Sequence, residues 1–416
     1  MHAIVMSMGN ELTSGQTVDT NSAWLSRQLA ALGISVRRHI TVADELDVIR
    51  AALDAAARDA DVVLTTGGIG PTEDDLTRHA LAAAMGVGLE FHAPSLEHIR
   101  EFFARRSRDM PEANRIQAMF PAGSTPIENI CGTAPGIQAK LHQADVFVMP
   151  GVPREMRVMF ERSVAPLLAG RGAGVILMRT VHTFGAGESD VGTTIRDLMR
   201  RGRNPTVGTT AQQTIIGVRI QAAGRDFAEA RRLLDADTAE LRRRLGDLVF
   251  GEDDETLADA VGAQLLRTGQ TVATAESCTG GLIAKSLTDV SGSSAYFLSG
   301  LVTYSNEAKV RLLAVPEALI LEHGAVSAPV AEAMAVGGRR LFGADCALST
   351  TGIAGPTGGT ATKPVGLVFF GLAHAGGCEV HERRFGSELT RKEIRDRARK
   401  FALNLLRLRL LHASSA

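Results

Sequence analysis

The chain opens on an apolar run, HAIVMSMG, that ends in glycine and gives way to the polar loop NELTSGQTVDTN. In SAWLSRQLAALG the apolar residues return at helical spacing, and the closing glycine suits a C-cap. ISVRRHITV then reads as a strand, LDVIRAALDAAARDA as a helix and DVVLTTGG as a buried strand. This rhythm predicts an α/β fold with a parallel sheet covered on both faces. Ligand loops in such sheets lie at the carboxyl ends of the strands, where both NELTSG and TTGGIGPTEDD fall.

The pattern breaks at LLAGRGAG (167–174), which is small, Gly-rich and basic and reads as a linker. A short unit follows, with the strand VILMRTVHTFG, a helix from Glu188, the strand TIIGVRIQA and a charged helix through Arg244. Its size predicts a small α/β connector. GEDDET (251–256) makes a second boundary, with acids gathered where a new helix begins. Beyond it come the helix LADAVGAQLLRTG, the strand TVATA, a helix start in ESCTGGLIAKSLTDV, strands in FLSGLVTYS, DCALSTTG and PVGLVFFGLAHA, and a closing helix from Thr390. The expected division is therefore 1–170, 171–250 and 251–416.

Composition narrows the function classes. At 416 residues the chain is too long for one ordinary core. A net charge of −1 and 4% aromatic residues give neither a basic field nor stacking platforms, which argues against direct nucleic-acid binding. The N-terminus lacks a basic segment ahead of its short apolar run, and no run of about 18 apolar residues occurs, so neither a signal peptide nor a membrane span is expected. The cysteines Cys131, Cys278, Cys346 and Cys378 form no CxxC pair, which excludes the usual zinc spacings and suggests the reduced thiols of a cytoplasmic protein.

Two phrases carry candidate chemistry. In ATAESCTGG, Ser277 stands at a strand-to-helix junction, where unpaired N–H groups can stabilise an oxyanion and Gly280–Gly281 let a substrate approach the backbone. The plainer reading is that Ser277 is an N-cap and the glycines allow tight packing. A serine nucleophile needs a base. His323, His374 and His381 lie in no triad context, and Lys285 and Lys309 are the alternatives between which spacing does not choose. In TTGGIGPTEDDLT, the turn glycines Gly67, Gly68 and Gly70 suit phosphate, and Glu73, Asp74 and Asp75 suit a hard cation, although acids at a first helical turn also favour the helix dipole. Glu11, Asp19 and Asn21 in the neighbouring loop are candidates to complete a metal–phosphate site.

TTGIAGPTGG (350–359) resembles the first glycine phrase but lacks its acids and runs into a strand instead of a helix. The likeness is one of form, each phrase a strand-end turn that lays backbone N–H groups open, and it predicts two sites and not an internal repeat.

Taken in order, GNELTSGQTVDTNS, TTGGIGPTEDDLT, GTAPGI, MPGVPREM, AESCTGG, GSSAYF, VTYSNEAK, GAVS, TTGIAGPTGG and KPVG resemble the CinA family along the whole chain. That resemblance implies an N-terminal three-layer domain similar to molybdopterin-binding proteins of the MogA/MoeA type, a connector, and a C-terminal domain similar to nicotinamide mononucleotide (NMN) deamidases. Carried over, Ser277 is the nucleophile and Lys309 the base, which leaves Lys285 a surface residue. Tyr304 polarises the base or contacts substrate. Amides around Cys278, Thr279 and Gly280 form the oxyanion hole, while Thr351, Gly352 and Gly355 hold the nucleotide and Arg391 and Arg395 its phosphate. The deamidase needs no cofactor.

For the N-terminal domain the resemblance implies a pyrophosphatase acting on ADP-ribose with magnesium, manganese or cobalt. Asp75, Asp74, Asp19 and Glu11 are its metal candidates, and Gly67, Gly68, Gly70, Thr72 and Asn21 its nucleotide candidates. A cytoplasmic homodimer is implied as well. The rival is a competence- or damage-inducible regulatory protein with a recombination partner, whose N-terminal domain only binds a nucleotide or pterin. A molybdenum-cofactor enzyme would rest on fold alone.

Overall fold

The computed structural model of the chain describes residues 1–172 and 174–413. They form two compact units, one built from residues 1–178 and 221–236 and the other from the remainder.

In the first unit a six-stranded sheet runs in the order Ser35–Val42, His2–Met8, Val62–Thr66, Ala144–Met149, Gly136–Leu141, Thr125–Ile127. The first three contacts along that order are parallel and the last two antiparallel. Alternation along the first strand explains why both faces are covered. Ala3 and Val5 pack with Trp24, Leu25 and Phe160 on one side, while Ile4 and Met6 pack with Ile49, Leu53 and Leu81 on the other. The predicted linker contains Arg171, which ion-pairs with Asp145 at 2.6 Å, and residue 173 lies outside the described residues.

A four-stranded sheet follows in the order Thr206–Gln212, Ile215–Gly224, Val175–Phe184, Val249–Glu252. In the second unit a five-stranded sheet has the order Phe297–Val302, Val272–Glu276, Cys346–Gly352, Leu367–His374, Gly377–Arg384. Its first three strands are mutually parallel, and the last two contacts are antiparallel. Val272, Leu348 and Phe370 pack beneath Val261, Leu265, Ala402 and Leu406, whereas Ala275 faces Leu313 and Met334.

In both large sheets the earliest strand lies inside, with the second strand of the parallel set on one side and the third on the other. The connections leave such a strand in opposite directions and open a crevice at its carboxyl end. The two glycine phrases close the third strand in each case, Thr65–Thr66–Gly67 in one and Thr350–Thr351–Gly352 in the other. Among the described residues no helix is long and apolar enough to cross a membrane.

Candidate functional site

Ser277 directly follows the inner strand Val272–Glu276, the earliest of its sheet, at that crevice. The helix begins later than the sequence predicts, over Leu282–Thr288, after Gly280 (φ 61°) and Gly281 (φ 91°). Ser277 is therefore not its N-cap. The helix-start amides are occupied as well. The fully buried Glu276 carboxylate accepts from the N–H groups of Gly281, Ile283 and Ala284 at 3.0, 3.1 and 2.8 Å. Gly280 N–H donates to Ser277 O at 3.1 Å, which removes it from the predicted oxyanion set. The Cys278 thiol is pushed up to about 12 by burial, so a thiolate beside Ser277 is excluded.

The neighbouring strand leads to the candidate base, Lys309. Ser305 caps the helix Asn306–Leu313 by accepting from Ala308 N–H, which sets Lys309 one turn in. The Lys309 side chain is buried, with Nζ 3.2 Å from Ser277 Oγ, 2.8 Å from Thr303 O and 3.3 Å from Tyr304 O. These partners are all neutral, and burial holds the ammonium below its ordinary lysine range. Lys285 instead pairs with Asp289 on the surface, two groups that are 66% and 58% exposed.

The closing helix, Arg391–Ala413, starts at a capping box in which Thr390 and Glu393 exchange hydrogen bonds. Four-residue spacing then presents Arg391 and Arg395 on one face. Arg391 donates to Gly355 O and to Tyr304 Oη, both at 2.8 Å, and Arg395 donates to Thr279 O at 2.8 Å. Tyr304 is exposed. The Thr351 hydroxyl is buried and donates to Ala325 O at 2.7 Å, so it is not free to meet a nucleotide. Gly352 pairs within the sheet, where a Cβ would meet Leu367 O at 2.7 Å; its role is close packing.

In the first unit the strand ends enclose a cavity of about 420 Å³ whose walls carry Glu11, Asp44, Asp74, Asp75 and Glu155 beside Gly67, Gly68, Gly70 and Thr72. The glycine loop is held from beneath. Thr77 N–H donates to Gly68 O and its hydroxyl to Gly67 O, while the buried Arg78 guanidinium donates to the carbonyls of Ile69 and Gly70. With the carbonyls bound on that side, a phosphate can be met by the opposite, amide face. Asp75 Oδ2 accepts from Thr72 N–H and Oγ1 at 2.8 and 2.6 Å, and a Cβ at Gly70 would lie 2.4 Å from that oxygen.

Two predicted members are not in this wall. Asp19 caps the helix Thr20–Ala31 through Ser22 N–H and receives the Ser7 hydroxyl at 2.7 Å. Burial raises its pKa, but the hydrogen bonds from Ser22 and Ser7 outweigh that and leave it lowered. Asn21 donates to Thr66 Oγ1 and Gly151 O, clamping two strand ends together. Asp44 takes their place. Burial, joined by repulsion from Glu11, Asp74 and Asp75, pushes its carboxyl above the usual range despite a hydrogen bond from Asn10 N–H.

Among the described residues no three His, Cys, Asp or Glu side chains stand close enough to hold a metal ion by themselves. The donor set fits a hard cation that takes one or two carboxylates and completes its shell with phosphate oxygens and water, a habit of magnesium.

Comparison with known proteins gives the family. Family models match in chain order: "Probable molybdopterin binding domain" over 4–170, "Damage-inducible protein CinA KH domain" over 178–251 and "CinA C-terminal domain" over 254–410. A CinA-like protein of Geobacter sulfurreducens is 44% identical, across 99% of this chain and 100% of its own length. The chain belongs to the CinA family. A CinA-like protein of Kosmotoga olearia is 39% identical over 99% of both chains. The solved structure of a competence/damage inducible protein from Agrobacterium tumefaciens is 44% identical and covers 37% of this chain and 93% of its own, with a TM-score of 0.36. In this CinA-family chain the KH-matched segment has no two glycines three positions apart. The GXXG loop with which KH domains clamp a nucleic-acid backbone is therefore missing.

Sequence reasoning missed Glu276, Arg78 and Asp44. Glu276 adjoins Ser277 inside an apolar strand, and a carboxylate at such a position was itself a signal, because a buried charge needs donors. Asp44 carried none, since it depends on how distant loops meet, and Arg78 looked like a surface residue of an ordinary helix although its partners Gly70 and Ile69 lie only eight and nine residues before it.

Proposed function

We propose that this CinA-family chain is a bifunctional pyridine-nucleotide enzyme. The C-terminal domain hydrolyses NMN to nicotinate mononucleotide and ammonia, and the N-terminal domain cleaves ADP-ribose with a divalent cation. The observation that carries the first activity is the buried Lys309 Nζ, 3.2 Å from Ser277 Oγ and surrounded by neutral partners. In its neutral form Lys309 takes the Ser277 proton as Oγ bonds to the carboxamide carbon. The C–N bond then breaks and Lys309 returns that proton to the leaving nitrogen, which departs as ammonia. Water attacks the acyl ester, again giving its proton to Lys309, and the C–Oγ bond breaks as Ser277 recovers it. The amides of Cys278 and Thr279 are the remaining oxyanion candidates, and Arg391 and Arg395 face the substrate phosphate.

In the N-terminal cavity Asp75, Asp74, Glu11 and Asp44 would hold the cation, which supplies charge neutralisation on the pyrophosphate. The glycine loop orients the phosphates by its amides. Both activities are tested by incubating the purified chain with NMN, and with ADP-ribose plus magnesium, manganese or cobalt. Ser277→Ala is expected to abolish ammonia release alone, and Asp75→Ala to abolish ADP-ribose cleavage alone. Ammonia release that survives Ser277→Ala rules out the serine mechanism, and ADP-ribose cleavage that survives chelation rules out the cation.

A further inference from the structure

The phrases GTAPGI (132–137) and MPGVPREM (149–156) have no part in either proposed reaction. Both border the cavity of the first unit, which Thr133, Ala134, Pro150, Gly151 and Glu155 help to line. The second phrase is built onto the glycine loop. Met149 O accepts from Gly67 N–H at 3.0 Å, Pro150 O accepts from the Thr66 hydroxyl at 2.8 Å, and a Cβ on Gly151 would lie 3.4 Å from Gly67 Cα. The helix Pro153–Met159 starts just after this contact and carries Glu155 in its first turn. An acid there suits the helix dipole, but a dipole alone does not require a buried partner to hold the carboxylate.

Glu155 has such a partner. Its Oε2 accepts from Asn129 Nδ2 at 2.7 Å, and Asn129 is only 2% exposed. The same NH₂ donates to Ala134 O at 2.9 Å, while Asn129 Oδ1 accepts from Cys131 and Gly132 N–H at 3.0 and 2.9 Å. Both donors and both lone pairs of the amide are thereby used, so the turn 129–134 and the carboxylate are fixed together. Gly132 completes the seat, because a Cβ there would lie 2.1 Å from Oε2. Among the described residues no donor reaches Oε1, and no Lys, Arg or His pairs with Glu155. Nor, among the described residues, does Glu155 stand with any two of Asp75, Asp74, Glu11 and Asp44 as a third metal ligand. A carboxylate seated by a neutral donor, with one oxygen open at a cavity wall, suits proton transfer from water.

We infer that Glu155 is the general base of the N-terminal centre, positioned by Asn129 and Gly132; the inference rests on the proposed cleavage of ADP-ribose. Oε1 takes a proton from water as the water oxygen bonds to one phosphorus. The bond from that phosphorus to the bridging oxygen breaks, and its electron pair leaves with the departing phosphate. AMP and ribose 5-phosphate result, and the proton on Glu155 passes to solvent.

The test is ADP-ribose cleavage by the full chain and by Glu155→Gln, Gly132→Ala and the double variant, with thermal melts and manganese titration followed by electron paramagnetic resonance. Glu155→Gln should lower kcat about 10²-fold or more, with KM and manganese affinity within about threefold. Gly132→Ala removes no polar group, and the nearest atoms to its new Cβ all belong to the flexible end of Glu155. It should melt close to the unmodified chain yet lower kcat about tenfold or more by displacing the base. Added to Glu155→Gln, it should cost less than about twofold further, whereas a packing role would add its full loss. Three results would overturn the base: Glu155→Gln with kcat within about threefold, manganese affinity weakened about tenfold in that variant, which would make Glu155 a cation ligand, or additive losses in the double variant. No cleavage by the unmodified chain with magnesium, manganese or cobalt would overturn the ADP-ribose reading and this inference with it.

Discussion

Lys309 is the residue on which the deamidase reading turns, and its burial affects activity and stability in opposite ways. Its pKa lies lower in the folded chain than in the unfolded one. Between those two values the unfolded chain binds more protons, so this group's contribution makes stability rise with pH. Below the folded value the full cost of a buried ammonium applies. Lys309→Met should therefore lose ammonia release about 10²–10⁴-fold, while relief of the buried ammonium offsets part of the cost of leaving Thr303 O and Tyr304 O without a donor at neutral pH. That offset should fade as pH climbs toward the ordinary lysine range, so the unmodified chain gains stability relative to the Met variant. For the unmodified chain, NMN turnover should increase with pH through an apparent pKa below that range. A flat pH–rate profile together with a stability difference between the two chains that does not change with pH would contradict this account. Arg78 is the counterpart in the first unit. Arg78→Met leaves the carbonyls of Ile69 and Gly70 without donors, at a cost of about 2 kcal/mol or more. Urea denaturation should read that loss, and ADP-ribose cleavage should fall while ammonia release persists.

At the scale of elements, the turn 277–281 is governed by a side chain that precedes it. Glu276 gathers three amides, and a Gln there would set its NH₂ against at least one N–H. Glu276→Gln should cost about 2 kcal/mol and lower ammonia release, because Gly280 and Gly281 lose the carboxylate that fixes the turn; urea midpoints and NMN assays read both effects. The strands that end at the two crevices were legible, since Val62–Thr66 and Val272–Glu276 are short apolar runs bounded by turn glycines. The start of the helix after Ser277 was not. Serine before an apolar stretch looks like a cap, and only the reach of Glu276 and the left-handed glycines moves the first turn to Leu282. The edge strand Gly377–Arg384 was also missed, because its largely exposed residues include Glu379, His381, Glu382, Arg383 and Arg384, which blur the period-two signal.

For the whole molecule, motif order along the chain was enough to reveal the family and to single out two glycine phrases as candidate sites. It could not give strand order. That order brings Asp44 and Glu11 to the same cavity as Asp75, and leaves Asp19 and Asn21 holding the fold together. Helix propensity and spacing are local, whereas this exchange of roles depends on which strands are neighbours. With two crevices of like topology and different chemistry, chelation should stop ADP-ribose cleavage and leave NMN deamidation within about twofold, a margin set by the absence of any expected metal in the Ser/Lys step. Parallel assays on one preparation check this, and equal loss of both activities would argue against separate sites.

The buried thiol next to Ser277 also decides which covalent reagents the proposed catalytic centre will accept. At a pKa of about 12, Cys278 offers almost no thiolate at neutral pH, and its sulfur is hardly accessible. Iodoacetamide and acrylamide warheads should leave the catalytic centre untouched, whereas fluorophosphonates, which react with activated hydroxyls, should mark Ser277 and halt ammonia release. Selective chemistry against this centre is oxygen-directed, even though a cysteine stands one residue away.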